Sequence, residues 1–302
     1  MSQWIRRTVL ACAVGLSAAA GVDAASGQGK PKPDAPVPEA PAAAVPQADL
    51  VKADLLADVK SVAPGTAFTV GVRLTVADKW HVYWRNSGET GDATKVTLSG
   101  PPGVTFGPVQ WPLPRKHDDG TGISYIYERE VLLLVPVTVA KDAKLTGPVT
   151  IAADVSWQCC HDTCVDGSAK PTLTLPTAAE AQPDHRELFD AWRQKLPVAR
   201  DQTPALVGVE QSTVEGKPVL NVRWAEAPKS VEWFPVATRA VAVEDVAVAH
   251  DGKATKVTYK VKVYQPDQVL GGTLQSVLVY EDAAGLRHGV TVPFTVPLPE
   301  KK

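Results

Sequence analysis

From Val51 onward, apolar and polar positions alternate in short runs. The clearest run is Phe68-Thr69-Val70-Gly71-Val72-Arg73-Leu74-Thr75-Val76. Its period of two puts one side of a strand in a core and the other towards solvent. Residues 131–139, 149–157 and 172–175 predict further strands. Turn signals at Pro64-Gly65, Pro101-Pro102-Gly103 and Gly147-Pro148 separate the runs. Many short strands at this spacing predict an all-β fold, a sandwich or a barrel. The pattern breaks over residues 177–202, which read as a linker with one helix around 185–195 before Pro197. Strand-like runs resume at 219–224, 230–234, 240–248, 255–263, 275–280 and 289–296. They predict a second β-sandwich over residues 203–298. No short-period repeat is present.

The N-terminal end follows a different logic. Arg6 and Arg7 precede an uncharged apolar stretch over residues 8–20, and Val22-Asp23-Ala24 supplies small residues before a cut. This layout predicts a secretory signal peptide over residues 1–24. Cys12 lies early in the apolar stretch and is expected to leave with the peptide. Residues 25–48, with Pro31, Pro33, Pro36, Pro38, Pro41 and Pro46, are too poor in burial capacity to fold and are expected to form a disordered Ala/Pro-rich linker. No other stretch reaches the roughly 18 apolar residues of a membrane span. The mature chain is therefore expected to be periplasmic and not membrane-spanning, in a compartment where disulfides persist.

Composition excludes some functions. The 31 Lys and Arg residues nearly balance 33 Asp and Glu, so no basic field exists to hold nucleic acid. Hydrophobic residues make up 44% of the 302-residue chain, enough for real cores. No phosphate-binding or dinucleotide fingerprint occurs, and no serine has a nucleophile-elbow context. His81, His117 and His161 are too scattered in sequence to argue a zinc enzyme. Trp80, Tyr83, Trp84 and Trp111 read as core and loop packing rather than a carbohydrate platform.

The chemistry concentrates in Trp157-Gln158-Cys159-Cys160-His161-Asp162-Thr163-Cys164. Three clustered cysteines cannot all pair within one chain, and a bridge across so short a loop constrains the unfolded chain little. Strand alternation puts Ile151, Ala153, Val155, Trp157 and Cys159 on one apolar face, which makes Cys159 a small buried hydrophobe. Cys160 falls on the opposite, wetter face. A turn through His161-Asp162-Thr163 could bring Cys164 within disulfide reach of Cys160, a vicinal Cys159–Cys160 bond ranking lower because its ring would be strained, and His161 could lower the pKa of a neighbouring thiol. A structural hairpin disulfide and a soft-metal site, such as one for copper, are alternative readings of the same residues.

Other blocks carry a resemblance. His81-Val82-Tyr83-Trp84-Arg85-Asn86-Ser87-Gly88-Glu89-Thr90-Gly91, Gly107-Pro108-Val109-Gln110-Trp111-Pro112 and Gly122-Ile123-Ser124-Tyr125-Ile126-Tyr127-Glu128 precede a tryptophan, two residues and Cys-x-x-x-Cys. This ordered series resembles the N-terminal domain of DsbD/ScsB-type thiol:disulfide interchange proteins. The resemblance implies an immunoglobulin-like redox domain over residues 49–176, with Cys160 and Cys164 as the exchanging pair. It implies Tyr125 and Tyr127 as aromatic residues of a cap over that pair. It also implies partners: a membrane-embedded DsbD/CcdA-like thiol transporter on one side, and periplasmic thioredoxin-like or disulfide isomerase proteins on the other. Electron transfer and cytochrome c biogenesis belong to the same implied context, and no cofactor or metal is required. The sequence departs from the family in the extra Cys159 and in Val165-Asp166-Gly167, where a proline often follows the second cysteine. It also carries neither the membrane helices nor the thioredoxin-like region of full-length relatives, so the electron relay is expected to need other proteins. Cys164 is expected to attack and Cys160 to resolve. The alternative function is a binding or assembly module with a structural disulfide, or a copper-handling protein.

Overall fold

The computed structural model describes residues 50–236, 238, 240–265, 268–269 and 272–296. The predicted signal peptide and Ala/Pro-rich linker lie outside the described residues.

The fold is all-β, an immunoglobulin-like sandwich followed by a second sandwich. The first comprises β1 (Val51–Ala57), β2 (Ala67–Val76), β3 (His81–Gly88), β4 (Lys95–Ser99), β5 (Val104–Phe106), β6 (Arg115–Asp118), β7 (Ile123–Glu128), β8 (Glu130–Val139), β9 (Val149–Cys160), β10 (Cys164–Ala169) and β11 (Thr172–Leu175). One sheet has the order β1-β2-β8-β5. The other runs β10-β9-β3-β7-β6, with β4 and β11 also paired to β9. The alternation in β2 and β9 places Val70, Val72 and Leu74, and Ile151, Ala153 and Val155, between the sheets, all nearly inaccessible to water. Residues Val131 to Val135 of β8 are buried without alternation. An unbroken apolar run of this kind marks a strand covered on both faces.

Helix α1 (Arg186–Arg193), within the segment expected to be a linker, also packs on the first sandwich. Phe189 and Trp192 join the core of the first sandwich, and Arg193 reaches back to Asp58 and Thr69. A short strand, β12 (Val198–Ala199), leads into the second sandwich. Its other strands are β13 (Leu206–Val214), β14 (Lys217–Trp224), β15 (Ser230–Pro235), β16 (Val241–Asp251), β17 (Ala254–Val263), β18 (Thr273–Glu281) and β19 (Arg287–Thr295). They form sheets of order β12-β19-β18-β15 and β13-β14-β17-β16.

The sheet containing β15 and β18 is buried on both faces. Trp233, Leu278 and Tyr280 pack in the second core, whereas Phe234, Val277 and Val279 join the first. Phe234 inserts between Trp84 and Tyr125, with ring centroids 6.2 and 5.0 Å away and near-perpendicular planes. Asn86 Nδ2 donates to the Pro235 carbonyl at 2.6 Å, and Arg287 donates to the Pro114 carbonyl at 3.0 Å. The two sandwiches thus share a continuous apolar contact that borders β3 and β7, the strands that flank the cysteines.

Candidate functional site

Strand β9 runs on past Trp157 through both adjacent cysteines before the chain turns at His161-Asp162-Thr163 and returns as β10. The turn closes with a His161 N–H to Thr163 carbonyl bond of 3.1 Å. Cys160 and Cys164 are then directly opposed across the hairpin and form a disulfide, with Cα atoms 4.2 Å apart. That separation matches the close spacing of about 4.5 Å in a non-hydrogen-bonded cross-strand pair. A three-residue turn between two strand ends is thus sufficient to bring the pair together.

Alternation along β9 separates the two adjacent cysteines. Cys159 is free, 1% exposed and part of the first core. Burial pushes its thiol pKa up to about 11. Cys160 does lie on the opposite face, yet it is only 3% exposed, not the wetter position expected from the pattern. Its cover comes from β3 and β7, which place Tyr83 and Ile126 over it. The Tyr83 hydroxyl donates to Cys160 Sγ at 3.2 Å. Cys164, at the start of β10, is exposed. The disulfide therefore joins an exposed residue to a buried one.

Tyr83 is itself shielded by the loop between β3 and β4. Thr94 Oγ1 donates to the Tyr83 carbonyl at 2.6 Å, and Asp92 N–H donates to Gln158 Oε1 at 3.2 Å. Gly91 lies flat against the Tyr83 ring: a Cβ there would be 2.0 Å from its Cζ, and the residue has φ +73°. Only glycine meets both demands at low cost. Replacing Gly91 with alanine should force the loop away from Tyr83. The expected result is that Cys160 of the reduced protein is alkylated about tenfold faster, as release of about 1.4 kcal/mol of overpacking would give. The alkylation rate of Cys164 should hardly change. Mass spectrometry of time points from iodoacetamide treatment reads both rates, and an unchanged Cys160 rate would show that the loop does not shield it.

The remaining predicted residues separate. Tyr125 and Tyr127 sit on the face of β7 opposite Ile126, inside the first core. The Tyr127 hydroxyl donates to the Pro112 carbonyl at 2.6 Å, and Tyr125 packs against Trp84 and Phe234. Burial raises both phenol pKa values. The structure thus brings neither tyrosine to the disulfide; alternation gives that place to Ile126, and Tyr83 supplies the aromatic cover. His161 is turned towards Asp162, with Nδ1 3.0 Å from Oδ2, and its ring lies 5.9 Å from Trp80. Tyr83 could have been found in the sequence, two residues after His81 in a block that already marked the resemblance. His81, which no local pattern in the sequence ties to the cysteines, lies opposite Cys160 in the β3–β9 register. Among the described residues, no cluster of three or more His, Cys, Asp or Glu side chains is placed to hold a metal ion. No described helix is long and apolar enough to cross a membrane.

Comparison with known proteins gives the same picture. The family described as thiol:disulfide interchange protein DsbD, N-terminal, matches residues 47–176. Among solved structures, the N-terminal periplasmic domain of ScsB from Proteus mirabilis is similar in fold, with a TM-score of 0.62 and 16% identity over 84% of this chain and 96% of that one. The N-terminal domain of DsbD from Neisseria meningitidis, in the reduced form, aligns at 15% identity over 47% of this chain and 96% of that one, with a TM-score of 0.27. No curated protein sequence matches the chain. The match to the DsbD N-terminal family thus falls on the segment that carries the first sandwich and the Cys160–Cys164 bridge.

Proposed function

We propose that this protein is a periplasmic thiol–disulfide exchange module in which Cys160 and Cys164 cycle between disulfide and dithiol. The observation that carries the reading is the asymmetry of the bridge, with Cys164 exposed and Cys160 enclosed beneath the Tyr83 hydroxyl. In this reading an incoming thiolate attacks the sulfur of the exposed residue, Cys164. Attack there breaks the Sγ–Sγ bond, forms a mixed disulfide on Cys164 and leaves the bond pair on Cys160. The Tyr83 hydroxyl is already placed to donate to the thiolate so formed, and hydrogen bonds to charged acceptors are the stronger ones. In the reverse direction, Cys164 attacks a partner disulfide and Cys160 resolves the complex. Reducing equivalents would come from a membrane-embedded DsbD/CcdA-like thiol transporter and pass to periplasmic thioredoxin-like or disulfide isomerase proteins.

Cycling also requires that the dithiol state stay folded. A disulfide that closes a loop of about five residues contributes only about 2 kcal/mol by loop-closure entropy. The first sandwich, with a core spanning both of its sheets, does not depend on such a staple. Titration of the full chain in glutathione buffers tests the function, with free thiols counted by mass spectrometry. The expected result is reversible conversion of Cys160–Cys164 at roughly −120 to −270 mV, the range of exchange proteins. A bridge that resists reduction below about −300 mV is a structural staple and would overturn the reading.

A further inference from the structure

The face of the sheet that carries Cys160 also carries a buried histidine. In the β3–β9 pairing His81 stands directly opposite Cys160, where facing Cβ atoms lie about 4.5–5.5 Å apart. His81 is 7% exposed. Its ring meets Tyr83 edge-on at 5.3 Å, the same tyrosine whose hydroxyl touches Cys160 Sγ. On the other side, in the β3–β7 pairing, His81 faces Glu128. The His117 ring of β6 lies 4.9 Å away. Asp119, after β6, and His161, in the β9–β10 turn, also act on it.

We propose that His81 is the proton acceptor that balances the charge formed on Cys160 when the disulfide opens. The inference rests on the exchange reading above and assigns the proton bookkeeping of that reaction. Beside the intact disulfide His81 is neutral: burial, and then His117, hold its pKa below the usual value. When a partner thiolate attacks Cys164 Sγ, the electrons of the S–S bond leave on Cys160. A thiolate in this enclosed site raises the proton affinity of the imidazole facing it, and His81 takes up a proton. The partner's second thiol then loses its proton, attacks the mixed disulfide and releases Cys164, which is protonated from solvent. The partner gives up two electrons and two protons. The protein gains two electrons and two protons, one proton on the Cys164 sulfur and one held by His81 beside the Cys160 thiolate.

The sign of the pH dependence follows. The imidazolium exists only in the reduced state, where its pKa is raised, so its stabilisation of that state is present near neutrality. It is lost as the pH rises through the raised pKa. The test is a glutathione titration of the full-length mature protein, as wild type, His81→Phe and His81→Gln, between pH 6 and pH 9. Thiolate ultraviolet absorbance of the reduced proteins is followed in parallel. Both variants should be harder to reduce at pH 7, by about tenfold in the equilibrium constant or about 30 mV. That difference should shrink several-fold by pH 9, and the thiolate titration should move to higher pH. If His81→Phe fails to fold, as circular dichroism would show, His81→Gln carries the same comparison. A wild type that titrates reversibly, with variants that track it within twofold at every pH, overturns the role of His81 alone. A wild type that does not titrate overturns the exchange reading and this inference with it.

Discussion

Replacing Cys164 with serine should abolish exchange, whereas replacing Cys160 with serine should stop the reaction halfway and accumulate a covalent complex with the partner. The asymmetry comes from access. Cys164 is exposed at the start of β10, and Cys160 is 3% exposed beneath Tyr83 and Ile126. In Cys160→Ser the attacking thiol remains and the resolving thiol is gone, so the mixed disulfide on Cys164 can leave only by return attack of the partner's freed thiolate, and the acid quench traps it. In Cys164→Ser the remaining thiol cannot be reached, and activity should fall to the uncatalysed background. Cys159 rescues neither variant. It lies on the core face of β9 with its pKa pushed up to about 11, which leaves about one thiolate in ten thousand at pH 7, and the thiolate is the nucleophile. Each variant, incubated with an oxidised thioredoxin-like protein and then acid-quenched, would be resolved by non-reducing electrophoresis and mass spectrometry. Complexes that form through Cys160 in Cys164→Ser would reverse the assignment.

How much of this was legible in the sequence depends on whether the signal was local. The period-two pattern of β2 and β9 was readable, and with it the division of Cys159 from Cys160, because alternation is a property of consecutive residues. The turn that joins Cys160 to Cys164 is equally local. The burial of Cys160 was not legible, since its cover is Tyr83, separated from it by 77 residues in the chain. The tyrosines of β7 show the same limit. Tyr125 and Tyr127 share one face and Ile126 holds the other, and which face meets the cysteine is set by the pairing of Tyr83 with Ile126. A register slip of one residue would have exchanged them. His81 joins the site by that route as well, through a short pairing of β3 with the end of β9. Helix α1 looks like part of a linker in the sequence because its own eight residues do not show that Phe189 and Trp192 close the first core.

Substituting Phe234 with alanine should cost about 3–5 kcal/mol, the usual range for a buried aromatic truncated in a core. The residue belongs to the second sandwich by sequence and to the first by packing. Trp233, its neighbour on β15, packs on Tyr259 and Phe294 in the second core, while Phe234 turns the other way to meet Trp84 and Tyr125. Loss of its ring leaves a cavity between the sandwiches and removes two edge-on aromatic contacts. The other ties are smaller side chains and single bonds: Val277 and Val279 in the first core, Asn86 to Pro235, Arg287 to Pro114, and Leu113 packed so closely on Gly289 that a Cβ there would lie 2.2 Å from Leu113 Cδ2. Calorimetry should therefore show two separable transitions for Phe234→Ala in place of one cooperative transition for the wild type. The first should be lower by roughly 6–20 °C, at about 2–4 °C per kcal/mol for a protein of this size. A single transition within about 2 °C of the wild type would mean that the sandwiches are not energetically joined through this contact. The effect should also reach the cysteines. Trp84 follows Tyr83 on β3 and Tyr125 precedes Ile126 on β7, so the strands that Phe234 braces are those that cover Cys160. Faster alkylation of Cys160 in reduced Phe234→Ala, with Cys164 unchanged, would show that the second sandwich keeps the shield over the resolving sulfur in place.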